Sequence, residues 1–381
     1  MGSRRLEKIS HGVVGAEWLP ARGKMEFWIA ARGSAVFKGG TGLTNMSYGY
    51  AMGRIKTIEN KMLTKNQLDR MIDSRTVDDA MRILAEADYG YSGGDAEAFR
   101  DYEKLLDDEY AKLINLIRDI SPEPALVNVF LIKNDYHNVK VLLKGEFSKG
   151  KNEDGSIDET ILSENGLIPL HLLKRAMLER KYSDIPPIMA SGIERTIEAF
   201  NRTSDPQVID ITLDIALFTQ MLSEAEALDN SFLTGLVRSY IDIANIGAFI
   251  RVKAMGKTWE FLRDALLYGG YIDHDVYYEA MQNSIDSFTD ALCATRYDSL
   301  CEEGIKSFQS TGSLTVFERN ADDYINSYIG KSKLMSAGIE IIIAYLVAKQ
   351  SEIKNVRVII VGKKNNIPGE IIRERLRETY V

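Results

Sequence analysis

The segment Ile132–Gly145, IKNDYHNVKVLLKG, decides how the chain is read. It places Asp135, His137 and Asn138 within four residues, a grouping that suits a catalytic relay or half a metal site. The pattern of acid, two residues, asparagine and a β-branched apolar residue returns twice. Asp242-Ile-Ala-Asn245-Ile lies 107 residues on, and Glu352-Ile-Lys-Asn355-Val a further 110. The imidazole does not return, because Ala244 and Lys354 stand in its place. On a helix the acid and the amide, three apart, share a face, and His137 is turned about 100° from Asn138. Asp135, Asn138, Asp242, Asn245, Glu352 and Asn355 are therefore read as framework positions that hold neighbouring helices or a loop by hydrogen bonds. His137 is read as incidental.

A second landmark repeats with nearly the same period. Leu63-Thr64, Ile168-Pro169, Ile272-Asp273 and Ile367-Pro368 each join an apolar residue to one that suits a helix start. Leu68, Leu173, Tyr277 and Ile372 follow the second residue of each pair four positions later. Thr and Asp suit the N-cap, Pro suits the first helical position, and the apolar pair suits a hydrophobic staple. The first three landmarks are 105 and 104 residues apart, and the fourth comes 95 later. Two landmarks with one period predict three copies of a helical unit of about 105 residues. The expected domains are 46–155, 156–260 and 261–381, with a closing C-terminal helix over Pro368–Thr379 docked beside the first unit. Boundaries are expected in the polar stretch Ser148–Asp158, SKGKNEDGSID, and near Met255–Glu260.

Periodicity makes the rest helical. Leu68, Met71, Ile72 and Arg75, then Leu105, Tyr110, Leu113, Ile114 and Ile117, follow the three-four spacing. Val356–Val361, VRVIIV, is the one strand-like stretch. It is read as the end of a buried helix that begins near Ala337. Residues 1–45 differ, with eight of the 29 glycines, two of the three tryptophans and no sustained period. They are expected to be a disordered or non-native leader, with Met46 the natural start. The longest uninterrupted apolar run, Ile341–Ala348, has eight residues, against roughly 20 for a membrane span.

The formal charge is −8, with +4 on residues 1–45 and −12 on the remainder. An acidic body argues against broad nucleic-acid contact, which depends on neutralising phosphates with Lys and Arg. Cys293 and Cys301 match no common zinc spacing and are expected to be buried, reduced thiols. The four histidines show no metal-ligand spacing, and no acid–base couple stands out. GGTG at 39–42 lacks the strand and Gly-Lys-Ser of a phosphate loop. Gly330-Lys331-Ser332 lacks the glycine five residues before and is read as a helix break. No catalytic residue, cofactor or metal site is expected. Arg373, Arg375 and Arg377 alternate with Glu374 and Glu378 as a solvated helix face. Arg251, Lys253, Met255 and Trp259 form a basic and apolar group suited to a partner.

The segments GYAMGRIKTIENKML, NDYHNVKVLLKG, ANIGAFIRVKAMG and IIRERLRETYV, in this order and spacing, resemble the C subunit of the archaeal and bacterial V/A-type ATPase, whose eukaryotic counterpart is the d subunit. The likeness covers residues 46–381. It implies an all-α fold of three similar domains in a pseudo-threefold funnel. It implies a non-catalytic rotor part whose socket takes the D and F shaft subunits and whose wide end sits on the membrane proteolipid ring. Such a protein is cytoplasmic and peripheral. A helical scaffold for other soluble proteins, and an enzyme with a site spread over the units, are the competing readings. If the chain closes on itself, removing residues 367–381 lowers hydrogen-exchange protection in the first unit as well as the third. Unchanged protection there removes the closure idea.

Overall fold

The computed structural model describes residues 41–87, 89, 101–148, 161–293, 295–334 and 338–380. The expected leader lies outside them up to residue 40, as does the polar boundary after Ser148. Among the described residues the chain forms sixteen α-helices, one short 3-10 turn and no strand. They are α1 (Thr41–Glu59), α2 (Lys65–Asp73), α3 (Val77–Glu86), α4 (Tyr102–Ile120), α5 (Pro124–Ser148), α6 (Leu170–Glu179), α7 (Pro187–Thr203) and α8 (Gln207–Ala227). There follow α9 (Ser231–Ala254), α10 (Trp259–Arg263), α11 (His274–Gln282), α12 (Ile285–Leu292), α13 (Asp298–Thr311), α14 (Thr315–Gly330), α15 (Ile339–Lys364) and α16 (Gly369–Glu374).

Three helices are long: α5, α9 and α15 have 25, 24 and 26 residues. Each carries one acid–asparagine pair. They are apolar on nearly every side, so they bury on all sides instead of along one stripe. The run Ile341–Ala348 is wholly buried in α15, which explains its composition without a membrane. Among the described residues no helix is long and apolar enough to cross one. Val356–Val361 continues α15 as a helix.

Shorter helices flank the long ones and show the expected one-sided burial. Helix α2 buries Leu68, Met71 and Ile72, and α4 buries Leu105, Leu113, Ile114 and Ile117. Arg75 falls in the turn after α2. Thr64 caps α2 in a full capping box with Gln67, and Asp273 caps α11 through the Asp275 N–H. Pro169 and Pro368 take the N-cap position, not the first helical one. Their carbonyls accept from Leu173 and Ile372, so the missing proline N–H costs nothing there.

The apolar side chains gather in three clusters. The largest joins α1, α4 to α9 and the first half of α15. The second joins the last half of α9 to α10–α14. The third joins Leu63–Leu106 to the last half of α15 and to α16. Helices α9 and α15 thus begin in the largest cluster and end in another, whereas α5 stays within the largest one.

Three further expectations are corrected. Cys301 is buried, and burial pushes its thiol up to about 12, but Cys293 is exposed. Cys293 is the C-cap of α12, one position past the Phe288–Leu292 face that packs inward. The final helix ends at Glu374 and not at Thr379. Of the three arginines expected on a solvated face, Arg375 is exposed, whereas Arg373 and Arg377 reach carboxylates of other elements. Arg373 pairs with Asp69 and Asp73 of α2, and Arg377 pairs with Asp322 at 2.8 Å. From Arg377 onward the backbone bonds to side chains of other elements. The Asp323 carboxylate accepts from the Glu378 N–H at 2.7 Å, and Asn326 Nδ2 donates to the Glu378 carbonyl at 3.1 Å.

Candidate functional site

The three acids are 2, 0 and 5% exposed. A buried carboxylate is tolerated only where donors replace its water. Asp135 accepts the Leu167 and Ile168 N–H groups at 3.0 and 2.9 Å. Asp242 accepts those of Tyr271 and Ile272 at 2.9 and 3.1 Å, and the Tyr297 hydroxyl at 2.6 Å. Glu352 accepts the Leu63 N–H at 2.6 Å, the Tyr89 hydroxyl and the Lys349 ammonium. Ile168, Ile272 and Leu63 are the apolar residues that precede the caps of α6, α11 and α2. Burial pushes the Asp242 carboxyl up, against the pull of Tyr297 and the two N–H groups. Burial alone would lower the Lys349 ammonium, but Glu352 and Glu109 outweigh it and hold it raised.

Each asparagine grips one residue by both backbone groups. Asn138 accepts the Ser163 N–H and donates to the Ser163 carbonyl, both at 2.8 Å. Asn245 does the same to Leu267, again at 2.8 Å for both. Asn355 takes Arg377 at 3.0 and 3.1 Å. The carboxamide stands in for a neighbouring strand and satisfies loop backbone that has no helix to join. His137 is exposed, and its ring Nε2 lies 2.8 Å from the Ile161 carbonyl.

Sequence reasoning missed the other end of each short helix. The residue eight past the asparagine fastens it. Lys253 donates to the Ala280, Met281 and Asn283 carbonyls at the end of α11. Lys363 donates to those of Ile72 and Ser74 at the end of α2. A cation on terminal carbonyls meets unpaired acceptors and the negative end of the helix dipole. In the remaining case Glu146 pairs with Arg180, the left-handed C-cap of α6. The shared offset of Lys253 and Lys363 was the available signal. Each short helix is clasped at both ends by one long helix.

Between the long helices lies a trough in two parts that meet at Asp322. One, of about 160 Å³, is walled by Phe130, Leu217, Phe218, Met221 and Ile325, with Lys133 and Lys354. The other, of about 290 Å³, carries Arg251, Glu318 and Arg377. Lys354 and Arg377 both pair with Asp322, and Arg251 pairs with Glu318. Lys133 has no carboxylate partner among the described residues. Its ammonium donates to the Gln350 carbonyl oxygen at 3.0 Å, and burial, with Lys354 nearby, pushes it down to about 8.

The ATP synthase (C/AC39) subunit family model matches residues 51–375. The chain belongs to that family. It is 27% identical over 329 residues to the C subunit of the V-type sodium ATPase of Enterococcus hirae, covering 86% of this chain and 97% of that one. It is 26% identical over 353 residues to the C subunit of the A-type ATP synthase of Methanocaldococcus jannaschii, covering 86% of each. A third relative, the C subunit of the A-type ATP synthase of Methanosarcina acetivorans, is 23% identical over 347 residues, covering 87% and 92%.

In this C/AC39 protein the basic and apolar group expected to meet a partner is Arg251, Lys253, Met255 and Trp259. Arg251 faces the trough and Lys253 is held by α11. Met255 is exposed at the turn after α9, and Trp259 lies edge-on to Tyr278 at 5.2 Å. Among the described residues no group of three or more His, Cys, Asp or Glu is placed to hold a metal ion. The Gly330-Lys331-Ser332 triplet ends α14 and enters the 3-10 turn.

Gly166 and Gly270 sit so close to the clasp acids that a methyl group on either would overlap the carboxylate oxygen. Gly270→Ala is therefore expected to lower stability by about 2–3 kcal/mol, combining overpacking with a lost charged hydrogen bond. Chemical denaturation checks it, with Gly256→Ala, in open space at positive φ, as the comparison. Lys133→Met is expected to raise the melting temperature at pH 7. The lysine is lowered from about 10.4 unfolded to about 8 folded, so the native state binds fewer protons than the unfolded state between those values. Wild-type stability therefore rises relative to the variant across that window. The variant's advantage is full below about pH 8 and shrinks towards pH 10.4. Paired melting curves against pH test the sign.

Proposed function

We propose that this chain is the non-catalytic coupling part of a V/A-type rotary ATPase, a socket between the rotating D and F shaft subunits and the membrane proteolipid ring. It would sit peripherally on the cytoplasmic face through the complex and carry torque for ATP-driven ion transport or ion-driven ATP synthesis. The observation that carries this reading is the threefold use of one clasp around a shared trough. Helices α2–α5, α6–α9 and α11–α15 each begin with a clasped short helix and end with a long one. They support three similar units over 46–155, 156–260 and 261–381.

A coupler must transmit load without bending and must leave a seat for the shaft. Packed helix interfaces resist shear because protein interiors are close-packed. The third clasp supports closure of the frame. Glu352 fastens Leu63 near one end of the described chain, and Asn355 fastens Arg377 near the other. The trough between the long helices is the proposed seat for the shaft.

Affinity capture of the tagged chain from detergent-solubilised membranes tests the role. The expected result is joint recovery of a proteolipid ring and both shaft subunits. Recovery of soluble partners alone overturns it and favours a scaffold for other proteins.

A further inference from the structure

Lys133, half-buried on the trough wall, is out of place by ordinary rules. A buried charge is kept where an opposite charge or a full set of hydrogen bonds repays its lost water. Here one carboxamide oxygen faces the ammonium, the charge acting on it is the like charge of Lys354, and the walls are Phe130, Leu217, Phe218 and Met221. Asp322, the one carboxylate on this part of the trough, is taken by Lys354 and Arg377. Over both parts the lining carries four cations, Lys133, Arg251, Lys354 and Arg377, against two carboxylates, Glu318 and Asp322. That local excess of positive charge sits in a chain whose formal charge is −8. Arg251 pairs with Glu318, and Lys354 and Arg377 share Asp322, so Lys133 is the one cation of the four with no carboxylate among the described residues.

We infer that Lys133 is an anchor for a carboxylate on the protein segment that enters the trough, an apolar segment carrying an Asp or Glu side chain. The inference rests on the proposed coupling role, which makes that segment the inner end of the shaft. The apolar walls take the segment's apolar side chains. The Lys133 ammonium fixes its rotational setting, because among the described residues one wall offers a cation with no carboxylate of its own. Gln350 is a positioning residue. Its side-chain oxygen holds the ammonium towards α15, and its amide lies within 3.5 Å of the Tyr110 hydroxyl. An empty seat destabilised by a lone charge, and relieved when the shaft arrives, makes the bound state the more stable one.

The full chain and the purified D and F shaft subunits from the same genome supply the test. Treating the mixture with a water-soluble carbodiimide joins an amine to a carboxylate in direct contact, and the carbodiimide leaves as its urea. Mass spectrometry is expected to find Lys133 coupled to an Asp or Glu of the shaft. Lys133→Met is expected to weaken shaft binding about thirtyfold or more, since it leaves a carboxylate buried without its partner. Lys133→Arg keeps the charge and should retain much of the affinity. Recovery of the proteolipid ring should be unchanged in both variants. A folded Lys133→Met chain that binds the shaft as wild type does, with no coupling at Lys133, overturns the anchor and leaves the coupling role standing. A wild-type chain that binds no shaft overturns both.

Discussion

The structure depends on a buried carboxylate and a carboxamide, three residues apart, placed on a long helix and turned towards loop backbone. The acids of α5, α9 and α15 sit where water does not reach, so their donors must come from protein. Segments such as 163–168 and 267–272 lack helical partners for much of their backbone. Each side therefore supplies what the other lacks. Removing one member of such an arrangement leaves a desolvated charge or amide, which costs more than the bond itself. That asymmetry explains why the loop can be positioned so firmly by two side chains.

The three clasps are variations, not copies. Asp135 takes two backbone N–H groups. Asp242 adds the Tyr297 hydroxyl. Glu352, longer by one methylene, reaches one N–H, a tyrosine hydroxyl and a buried lysine. The gripped chemistry stays constant while the donors change. The same holds at the far ends of the short helices, where two lysines and one Glu146–Arg180 pair do equivalent work.

Much of this was legible in the residues. Helical spacing and the acid–asparagine pairs are local signals, and the all-α architecture follows from them. Family membership was legible from four short segments in order. What could not be read depends on partners distant in the chain. The C-terminal arginines look like a solvated helix face until α2 supplies Asp69 and Asp73 and α14 supplies Asp322. Lys253 looks like a free basic residue until α11 presents its terminal carbonyls. Cys293 was misplaced because a helix of eight residues leaves its C-cap beyond the packed face. The trough had no local signature, since its walls come from α5, α8, α9, α14 and α15.

The bond from Leu63 to Glu352 also sets an order of events. Its two residues are 289 positions apart, and Arg377, gripped beside it, comes later still. A ribosome adding about 5–20 residues each second needs on the order of 15–60 s to bridge that interval. During that time α2 and α3 lack the half of α15 that completes their apolar cluster. Helices α2 and α3, made early, are thus among the last to be locked. Maturation of the chain is a matter of timing as much as of affinity, with its amino-terminal side waiting on the carboxyl-terminal one.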